Sequence, residues 1–262
     1  MIEFYKYQGT GNDFIIIDDR EKNLNLSKQQ IEFLCNRRFG IGADGLILLQ
    51  NHSNADFYMQ YFNSDGAEST MCGNGGRCIA SFAHLLNIGS NQKIVFNAID
   101  GKHEALILKD ETISLKMNDV TNIKFIGNDF ELNTGSPHYV VFANDIKNLN
   151  LIEWARKIRY NDTYNKTGIN VNAVQVDNEN YIRVRTYERG VEDETLSCGT
   201  GVTACAIAYF KHKKLPIGSY NINVITPGGE LQVTYNATEN GFNNIWLTGK
   251  ATYVFRGFIS LP

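Results

Sequence analysis

Two short stretches of this 262-residue chain match one another, ESTMCGNG at residues 68–75 and ETLSCGTG at residues 194–201. Glu, Cys, Gly and Gly coincide in them at a single offset. Further segments match in the same order at nearly that offset: residues 10–15 with 134–139, and 39–44 with 167–172. Self-similarity in a fixed order indicates a duplicated architecture. We therefore expect two similar halves, each with a central helix that begins just after Cys-Gly.

Outside these stretches, short alternating or β-branched runs dominate and predict many strands. Helices are expected to be few. One is expected to begin at Ser27, where Gln30 completes a capping box, and another at Asn150. Two apolar, buried helices are expected at about residues 74–86 and 200–211.

These elements predict an α+β fold of two pseudo-symmetric halves, each a β-rich sheet or barrel-like layer wrapped around a central helix. The active site is expected in the cleft between the halves. We place the first half at residues 1–118 and the second at residues 119–250, with a final strand at about 251–262 that can return to the first half.

Composition excludes several classes of protein. The formal net charge of −3 gives no basic field for nucleic acid or anionic lipid. No secretory signal and no apolar run of membrane-spanning length is present, so we expect a cytoplasmic protein. The five cysteines are too few, and odd in number, for a disulfide framework, and no zinc-ligand spacing occurs. No metal is therefore expected.

Cys72 and Cys198 each lie at a glycine-flanked entry to a predicted helix. Free N–H groups and a positive dipole end favour a thiolate there, and the same N–H groups bind carboxylates. Two such thiols on either side of one α-carbon would invert it, one removing a proton and the other returning one. No cofactor is expected. A cysteine in a single Cys-Gly pair is more often a buried residue of the hydrophobic core than a catalytic base. The matched pair Cys72 and Cys198 favours catalysis. The other cysteines are assigned to the core: Cys35, Cys78 and Cys205.

At these residues the chain resembles the diaminopimelate epimerase family of pyridoxal-independent isomerases. The motifs lie in family order along nearly the whole chain: residues 11–14 (GNDF), 62–66 (FNSDG), 71–75 (MCGNG), 188–190 (ERG), 194–195 (ET) and 198–201 (CGTG). The resemblance implies interconversion of LL- and meso-2,6-diaminopimelate in lysine and peptidoglycan precursor biosynthesis. It also implies a small amino-acid substrate as ligand and a homodimer.

The resemblance carries roles onto matched positions. Cys72 and Cys198 would be the two bases. The groups presented to the reacting α-carboxylate would come from Gly73, Asn74, Gly199 and Thr200, including the Thr200 hydroxyl. The remaining substrate-binding residues would be Asn12, Asn63, Asn170, Glu188 and Arg189. Arg189 would read the distal end of the substrate, because a guanidinium suits a carboxylate. A structural ion pair is the alternative for Glu188 and Arg189, and turn formation for the Asn residues.

Departures from the family pattern concern the distal end. Ser136 stands where the family often has Asn, and Gly45 where a Gln is common; the segment between Arg189 and Glu194 is one residue longer than usual. His138 is expected to orient substrate or a catalytic group, with a structural hydrogen-bonded histidine as the alternative. Glu68 and Glu194, as accessory residues, are expected to anchor the cysteine loops through bonds to backbone N–H groups.

Three other functions would account for parts of this pattern. A racemase of another amino acid on the same fold is the nearest rival. Proline is disfavoured because His does not stand at Asn74, whereas histidine stays open. A noncatalytic amino-acid-binding protein would need no second cysteine, and a thiol redox protein would require a functional disulfide between Cys72 and Cys198.

Overall fold

A computed structural model of the chain describes residues 1–90 and 92–261. The chain forms two compact units, Met1–Leu115 with Gly249–Pro262, and Lys116–Thr248. None of the helices in the described part is both long and apolar enough to cross a membrane.

Capping side chains define where two of the helices begin. Ser27 and Gln30 form the expected capping box, and the side chain of Asn150 accepts from the N–H of Glu153, which confirms both predicted starts. The helices are α1 (Lys28–Cys35), α2 (Gly73–Leu85), α3 (Leu151–Arg159) and α4 (Gly199–His212).

The strands of the first half of the chain are β1 (Ile2–Gly9), β2 (Asn12–Asp18), β3 (Gly45–Gln50), β4 (Phe57–Asn63), β5 (Glu68–Ser69), β6 (Lys93–Ala98), β7 (Gly101–Ile107) and β8 (Ile113–Lys116). They are followed by β9 (Ile123–Ile126), β10 (Asp129–Asn133), β11 (Pro137–Phe142), β12 (Asn170–Asn178), β13 (Tyr181–Glu188), β14 (Asp193–Thr195), β15 (Gly218–Thr226), β16 (Gly229–Thr238), β17 (Gly241–Gly249) and β18 (Thr252–Ile259).

In the first unit the strands pair in the order β18, β1, β2, β3, β4, β6, β7 and β8, and β5 pairs with β4. The β2–β3 and β4–β6 pairs are parallel and the others are antiparallel. The helix α2 packs against β1, β2, β3, β6 and β7. It is buried from Gly73 to Ala80, so it forms the centre of this unit's core.

The second unit repeats this succession with β9, β10, β11, β12, β13, β15, β16 and β17, and β14 pairs with β13. The parallel pairs are β11–β12 and β13–β15, in the same places as in the first unit. The helix α4 packs against β10 to β13, β15 and β16 and is buried from Gly201 to Phe210. The repeat in sequence is thus a repeat of structure, and the expected α+β class is confirmed.

The cysteines assigned to the core are buried. Cys78 and Cys205 lie within α2 and α4 with no exposed surface, and Cys35 packs among Ile31, Leu34 and their neighbours at the end of α1. Burial raises the pKa of each of these three thiols, to about 12 for Cys35. They therefore remain neutral hydrophobic groups at neutral pH.

Candidate active site

In the first unit, Cys72 is the N-cap residue of α2. Its backbone is extended, and its Sγ accepts from the N–H of Gly75 at 3.2 Å. A sulfur in this position satisfies one of the free N–H groups of the first turn and lies at the positive end of the helix dipole. A Cβ on Gly75 would come within 3.1 Å of that sulfur. Glycine at this position therefore keeps the thiol in contact with the helix end.

Asn74 and Asn12 are joined directly beside this helix start. The Nδ2 of Asn74 donates to the Oδ1 of Asn12 at 3.2 Å, and the Nδ2 of Asn12 donates to Asp44 at 2.6 Å. Asn74 is almost fully buried. The orientation of the Asn12 amide is fixed by these two partners, so Asp44 is a site residue that the sequence pattern did not reveal.

Asp44 belongs to an ion cluster with Asp13, Arg37 and Lys6. Arg37 bonds to both carboxylates, and Lys6 pairs with Asp13 at 2.7 Å. Burial raises the pKa of Asp13, but hydrogen bonds from Arg37 and Lys6 outweigh it and hold that pKa at about 2. The cluster therefore stays charged and paired at neutral pH, and it supports Asn12 through Asp44.

The loop before Cys72 is held by Asp100 rather than by Glu68. The N–H of Met71 donates to Asp100 at 3.2 Å, whereas Glu68 accepts from the side chain of Gln60. In the second unit the Glu194 carboxylate accepts from Nε and Nη2 of Arg185, at 2.7 and 2.6 Å. The expected bonds from Glu68 and Glu194 to loop N–H groups are therefore wrong. Each glutamate lies on a strand, and its partner is a side chain of the neighbouring strand.

In the second unit, Cys198 is the N-cap residue of α4 and is buried. Its Sγ lies 3.5 Å from the hydroxyl of Thr200. A Cβ on Gly201 would come within 2.7 Å of Asn172 and within 3.3 Å of both Cys198 and His138. The second thiol thus lies against polar side chains, at the position equivalent to that of Cys72.

A chain of hydrogen bonds leads from Asn172 to this thiol. The Nδ2 of Asn172 donates to the carbonyl of Tyr139 at 3.0 Å and lies 3.2 Å from Nδ1 of His138. This assigns Nδ1 as the acceptor and places the imidazole proton on Nε2. Nε2 is 2.9 Å from the Thr200 hydroxyl, and the Oγ1 of Thr200 faces Cys198. Asn172 was not identified from the sequence, although it follows Asn170 by two residues on the same strand face.

His138 is fully buried, and burial lowers its pKa to about 3, with the charge of Arg189 acting in the same direction. The unfolded chain protonates this histidine near pH 6.5, while the folded protein holds it neutral. Stability is therefore complete above about pH 6.5 and falls as the pH drops toward 3, by about 1 kcal/mol per pH unit. Urea unfolding between pH 7.5 and 5 should show a steeper loss for the native chain than for His138→Asn.

The exposed His84 supplies a matched control for this measurement. The His84→Asn variant should keep the pH slope of the native chain, because it leaves the buried His138 in place. Equal slopes for His138→Asn and the native chain would contradict a neutral buried His138.

Asn170, Ser136 and Arg189 form the next layer of the second unit. The Nδ2 of Asn170 donates to the Ser136 hydroxyl at 2.9 Å, and its Oδ1 accepts from the N–H of Arg189 at 2.8 Å. The guanidinium of Arg189 is exposed and donates to the carbonyl of Thr167 at 3.0 Å. Ser136 therefore orients Asn170, and the outer face of the guanidinium is open to an anionic ligand.

Glu188 is the last residue of β13. Its Oε2 accepts from the hydroxyl of Thr195 on the neighbouring strand at 3.0 Å. In the first unit, Asn63 ends β4 as the cross-strand partner of Gly45 and accepts the N–H of Gly66 in the turn to β5. The backbone of Asn63 thus forms part of the turn between β4 and β5. Turn formation was the alternative role given above for the Asn residues, and contact of the Asn63 side chain with substrate stays a prediction.

Gly45 lies where the family pattern commonly has glutamine, and the structure shows what fills that space. A Cβ on Gly45 would lie 2.6 Å from both the ring of Tyr61 and the carbonyl oxygen of Phe62. Because that oxygen belongs to the paired strand, it cannot move aside. We expect Gly45→Ala to lower the free energy of unfolding by about 1–3 kcal/mol through overpacking, measured by urea denaturation.

Gly218 is the matched control, since it is also a strand glycine and its added Cβ would meet only Tyr220, at 3.9 Å. The Gly218→Ala variant should be neutral or slightly more stable, because alanine loses less backbone entropy than glycine on folding. Equal stability of the two variants would show that the space at Gly45 is not limiting.

The structure thus divides the candidate residues between the two units. The residues grouped in the first unit are Asn12, Cys72, Gly73 and Asn74, with Asn63 at the end of β4. The residues grouped in the second unit are Ser136, His138, Asn170, Glu188, Arg189, Cys198, Gly199 and Thr200. The residues missed by the sequence analysis are Asp44, Asp100 and Asn172. Asp44 and Asp100 were missed because each stands beside a glycine in a turn-like context.

Comparison with known sequences gives one consistent family. The profile described as "Diaminopimelate epimerase" matches residues 4–123 and 130–254. A protein of Flavobacterium psychrophilum with that name is 51% identical over 97% of this chain and 98% of its own length. Another of that name, from Chlorobaculum tepidum, is 40% identical over 97% of this chain and 99% of its own length.

Solved structures of more distant proteins share the fold. A phenazine biosynthesis protein of the PhzF family from Bacillus anthracis has a TM-score of 0.76 at 13% identity, covering 99% of both chains. A probable proline racemase from Agrobacterium radiobacter K84 has a TM-score of 0.66 at 14% identity, covering 100% of this chain and 94% of its own. At such identities the likeness concerns the fold alone.

Proposed function

The chain belongs to the diaminopimelate epimerase family, and we propose that it interconverts LL-2,6-diaminopimelate and meso-2,6-diaminopimelate. It is an isomerase acting on an amino acid, in lysine and peptidoglycan precursor biosynthesis. Relatives matching nearly the full chain carry this name at 51% and 40% identity. They do not favour the rival assignment to a histidine racemase.

One observation carries the proposed mechanism. Each of two topologically equivalent units has a cysteine at the N-cap of its central buried helix. In the mechanism, the thiolate of one cysteine removes the α-proton and becomes a thiol. The thiol of the other gives its proton to the opposite face of the α-carbon and becomes a thiolate. The reverse reaction exchanges the roles of Cys72 and Cys198, and no cofactor takes part.

The α-proton is far less acidic than a thiol, so charge on the α-carbon and its carboxylate must be stabilised. We assign this to the backbone N–H groups of Gly73, Asn74, Gly199 and Thr200, which lie at the two helix starts. Preorganised N–H dipoles stabilise developing negative charge without reorganisation during the reaction. His138, held neutral, would support Cys198 through the Thr200 hydroxyl.

The distal amino-acid end of the substrate is assigned to the asymmetric residues. Arg189 would bind its carboxylate and Glu188 its ammonium group, with Asn12, Asn63 and Asn170 as further partners. The two glutamates before the cysteines, Glu68 and Glu194, have a supporting structural role only. We also propose a cytoplasmic homodimer, with no nucleic-acid or membrane partner.

The test is turnover in deuterated water, followed by proton NMR. With LL-diaminopimelate we expect the meso form to appear and its new α-position to carry deuterium from the solvent. Early in the reaction, the unreacted LL form should keep its proton, because reversal of the first step returns the same proton that the first cysteine removed. Faster turnover of L-histidine or L-proline in parallel samples would overturn the assignment of substrate.

A further inference from the structure

Arg77 is a fully buried arginine in the first turns of α2, and the proposed mechanism does not use it. Its Nη1 donates to the carbonyl of Gly73 at 3.1 Å. Its Nη2 donates to Asn74 at 3.0 Å and to the Thr10 hydroxyl at 3.3 Å. Its Nε is buried and has no hydrogen-bond partner among the residues that the structure describes. The guanidinium thus lies beneath the helix turn that carries Cys72.

A buried guanidinium is costly unless an anion compensates it. Within residues 1–90 and 92–261, no carboxylate forms an ion pair with Arg77, and the acidic groups that act on it are the thiols of Cys72 and Cys78. Burial lowers the pKa of Arg77, but an arginine starts from so high a value that it keeps its charge at neutral pH. In this part of the chain, the thiols of Cys72 and Cys78 are therefore the groups that could supply the compensating anion.

Cys78 does not supply that anion. It has no exposed surface, and burial raises its pKa despite the nearby guanidinium. Cys72 differs, since it is only half-buried and its sulfur accepts from the N–H of Gly75. A thiolate on Cys72 would be stabilised by the helix end and by the charge of Arg77 together.

The equivalent place in the second unit holds a neutral group. Thr203 of α4 donates to the carbonyl of Gly199 at 2.9 Å, as Arg77 does to that of Gly73. Polar neighbours of Cys198 include the Thr200 hydroxyl and, beyond it, the neutral His138, on which the charge of the exposed Arg189 also acts. The two units thus make the same carbonyl contact, but only the first makes it with a cation.

We propose that Arg77 is a positioning residue that holds the first turn of α2 and biases Cys72, rather than Cys198, toward the thiolate in the free enzyme. The role rests on the proposed function of the two cysteines as paired bases. That mechanism requires one thiolate and one thiol before substrate binds. Arg77 determines which of the two cysteines is ionised in the free enzyme. Cys72 has released its proton to solvent, and Cys198 retains its proton.

Other titratable groups near α2 do not supply this bias. The charged or titratable residues on the strands packed against α2 are Glu3, Tyr5, Lys6 and Tyr7 of β1, Asp13 and Asp18 of β2, Lys93 of β6, and Lys102, His103 and Glu104 of β7; β3 has none. Asp13 is ionised and paired with Lys6 and Arg37, and burial raises the pKa of Tyr7. Asp18 is bound by Arg20, and His103 by Asp100.

The test measures the two thiols separately. Native protein is alkylated with iodoacetamide, a neutral reagent, across a pH series, and peptide mass spectrometry gives the rate at Cys72 and at Cys198. The midpoint of each pH profile is compared rather than the absolute rate, because Cys198 is more buried. We expect the lower midpoint at Cys72. A lower midpoint at Cys198 would overturn the proposal without any variant.

Variants then isolate the charge. Arg77→Met should raise the Cys72 midpoint by about one pH unit, which lowers alkylation near pH 7 about tenfold, and leave that of Cys198 unchanged. Arg77→Lys keeps the charge and should stay near the native profile. Thr203→Val is the matched control that removes only the carbonyl contact in the second unit. A second control, His103→Gln, removes the imidazole that contacts Asp100.

The outcomes distinguish this proposal from the proposed function. An unchanged Cys72 profile in Arg77→Met, with a raised KM for diaminopimelate, would show that the buried charge serves the substrate carboxylate instead. Should Arg77→Met fail to fold, a native midpoint that is not lower at Cys72 than at Cys198 still overturns the proposal. Failure to epimerise diaminopimelate, with the Cys72 midpoint low and sensitive to Arg77, would overturn the function but not the electrostatic role.

Discussion

Alanine at Cys72 or at Cys198 is expected to abolish epimerisation of LL-diaminopimelate, with kcat reduced about 10³-fold or more. A positioned acid or base contributes about 10²–10⁴ to a proton-transfer step, and inversion needs both. Each thiol lies at the N-cap of a helix within its own unit, so removing one leaves the other site intact. The loss should be similar in both directions of the reaction, since each cysteine is acid in one direction and base in the other.

Cys78→Ala and Cys205→Ala are the matched controls, because these cysteines lie in the same two helices but are fully buried. They should lower stability modestly and retain activity. The measurement is the appearance of the meso form, with circular dichroism confirming that each variant is folded. Full activity in a folded Cys72→Ala or Cys198→Ala variant would refute the two-base mechanism.

Arg189→Ala is expected to raise the KM for diaminopimelate about 10- to 100-fold. Hydrogen bonds to charged groups contribute about 1.5–3 kcal/mol each, and 1.4 kcal/mol corresponds to about a tenfold change in affinity. The guanidinium is exposed and held from one side by the carbonyl of Thr167, which leaves its other donors for a carboxylate. Arg189→Lys should recover little, because a lysine lacks the planar fork of donors.

Arg183 is the control for this variant, since it lies on the same strand, β13, and forms an ion pair with Asp177 at 2.7 Å. Arg183→Ala should leave KM unchanged, and steady-state kinetics on both variants decides the matter. A native KM in Arg189→Ala would remove this residue from the substrate-binding set and leave the recognition of the distal end to others.

The fold was predictable from the sequence where local signals agreed. The repeated Cys-Gly motif placed both central helices, and the capping residues Ser27 and Asn150 placed the starts of α1 and α3. Strand β1 is not evident from the sequence, because the alternation of its apolar residues is broken by Lys6, which is buried and paired with Asp13. The β9–β10 hairpin is not evident either, because its strands are short and partly exposed.

The site was predictable in its repeated parts and less so in its supporting residues. The cysteines and their glycines follow from helix-end chemistry that a sequence shows directly. Asp44, Asn172 and Arg77 act through other side chains, and those contacts exist only after distant strands have paired. The prediction that Glu68 and Glu194 anchor the cysteine loops was wrong for the same reason. Their partners, Gln60 and Arg185, lie on neighbouring strands.

Because the sulfur of Cys72 caps α2, the protonation state of this residue also affects the stability of the first turn of the helix. A thiolate accepts the Gly75 N–H more strongly than a thiol does, and a helix cap contributes about 0.5–2 kcal/mol. Each turnover therefore tightens and loosens the first turn of α2 as the proton leaves and returns. Amide hydrogen exchange at Gly75 should be slowest while Cys72 is the thiolate and fastest while Cys72 carries the proton, whichever direction the reaction takes.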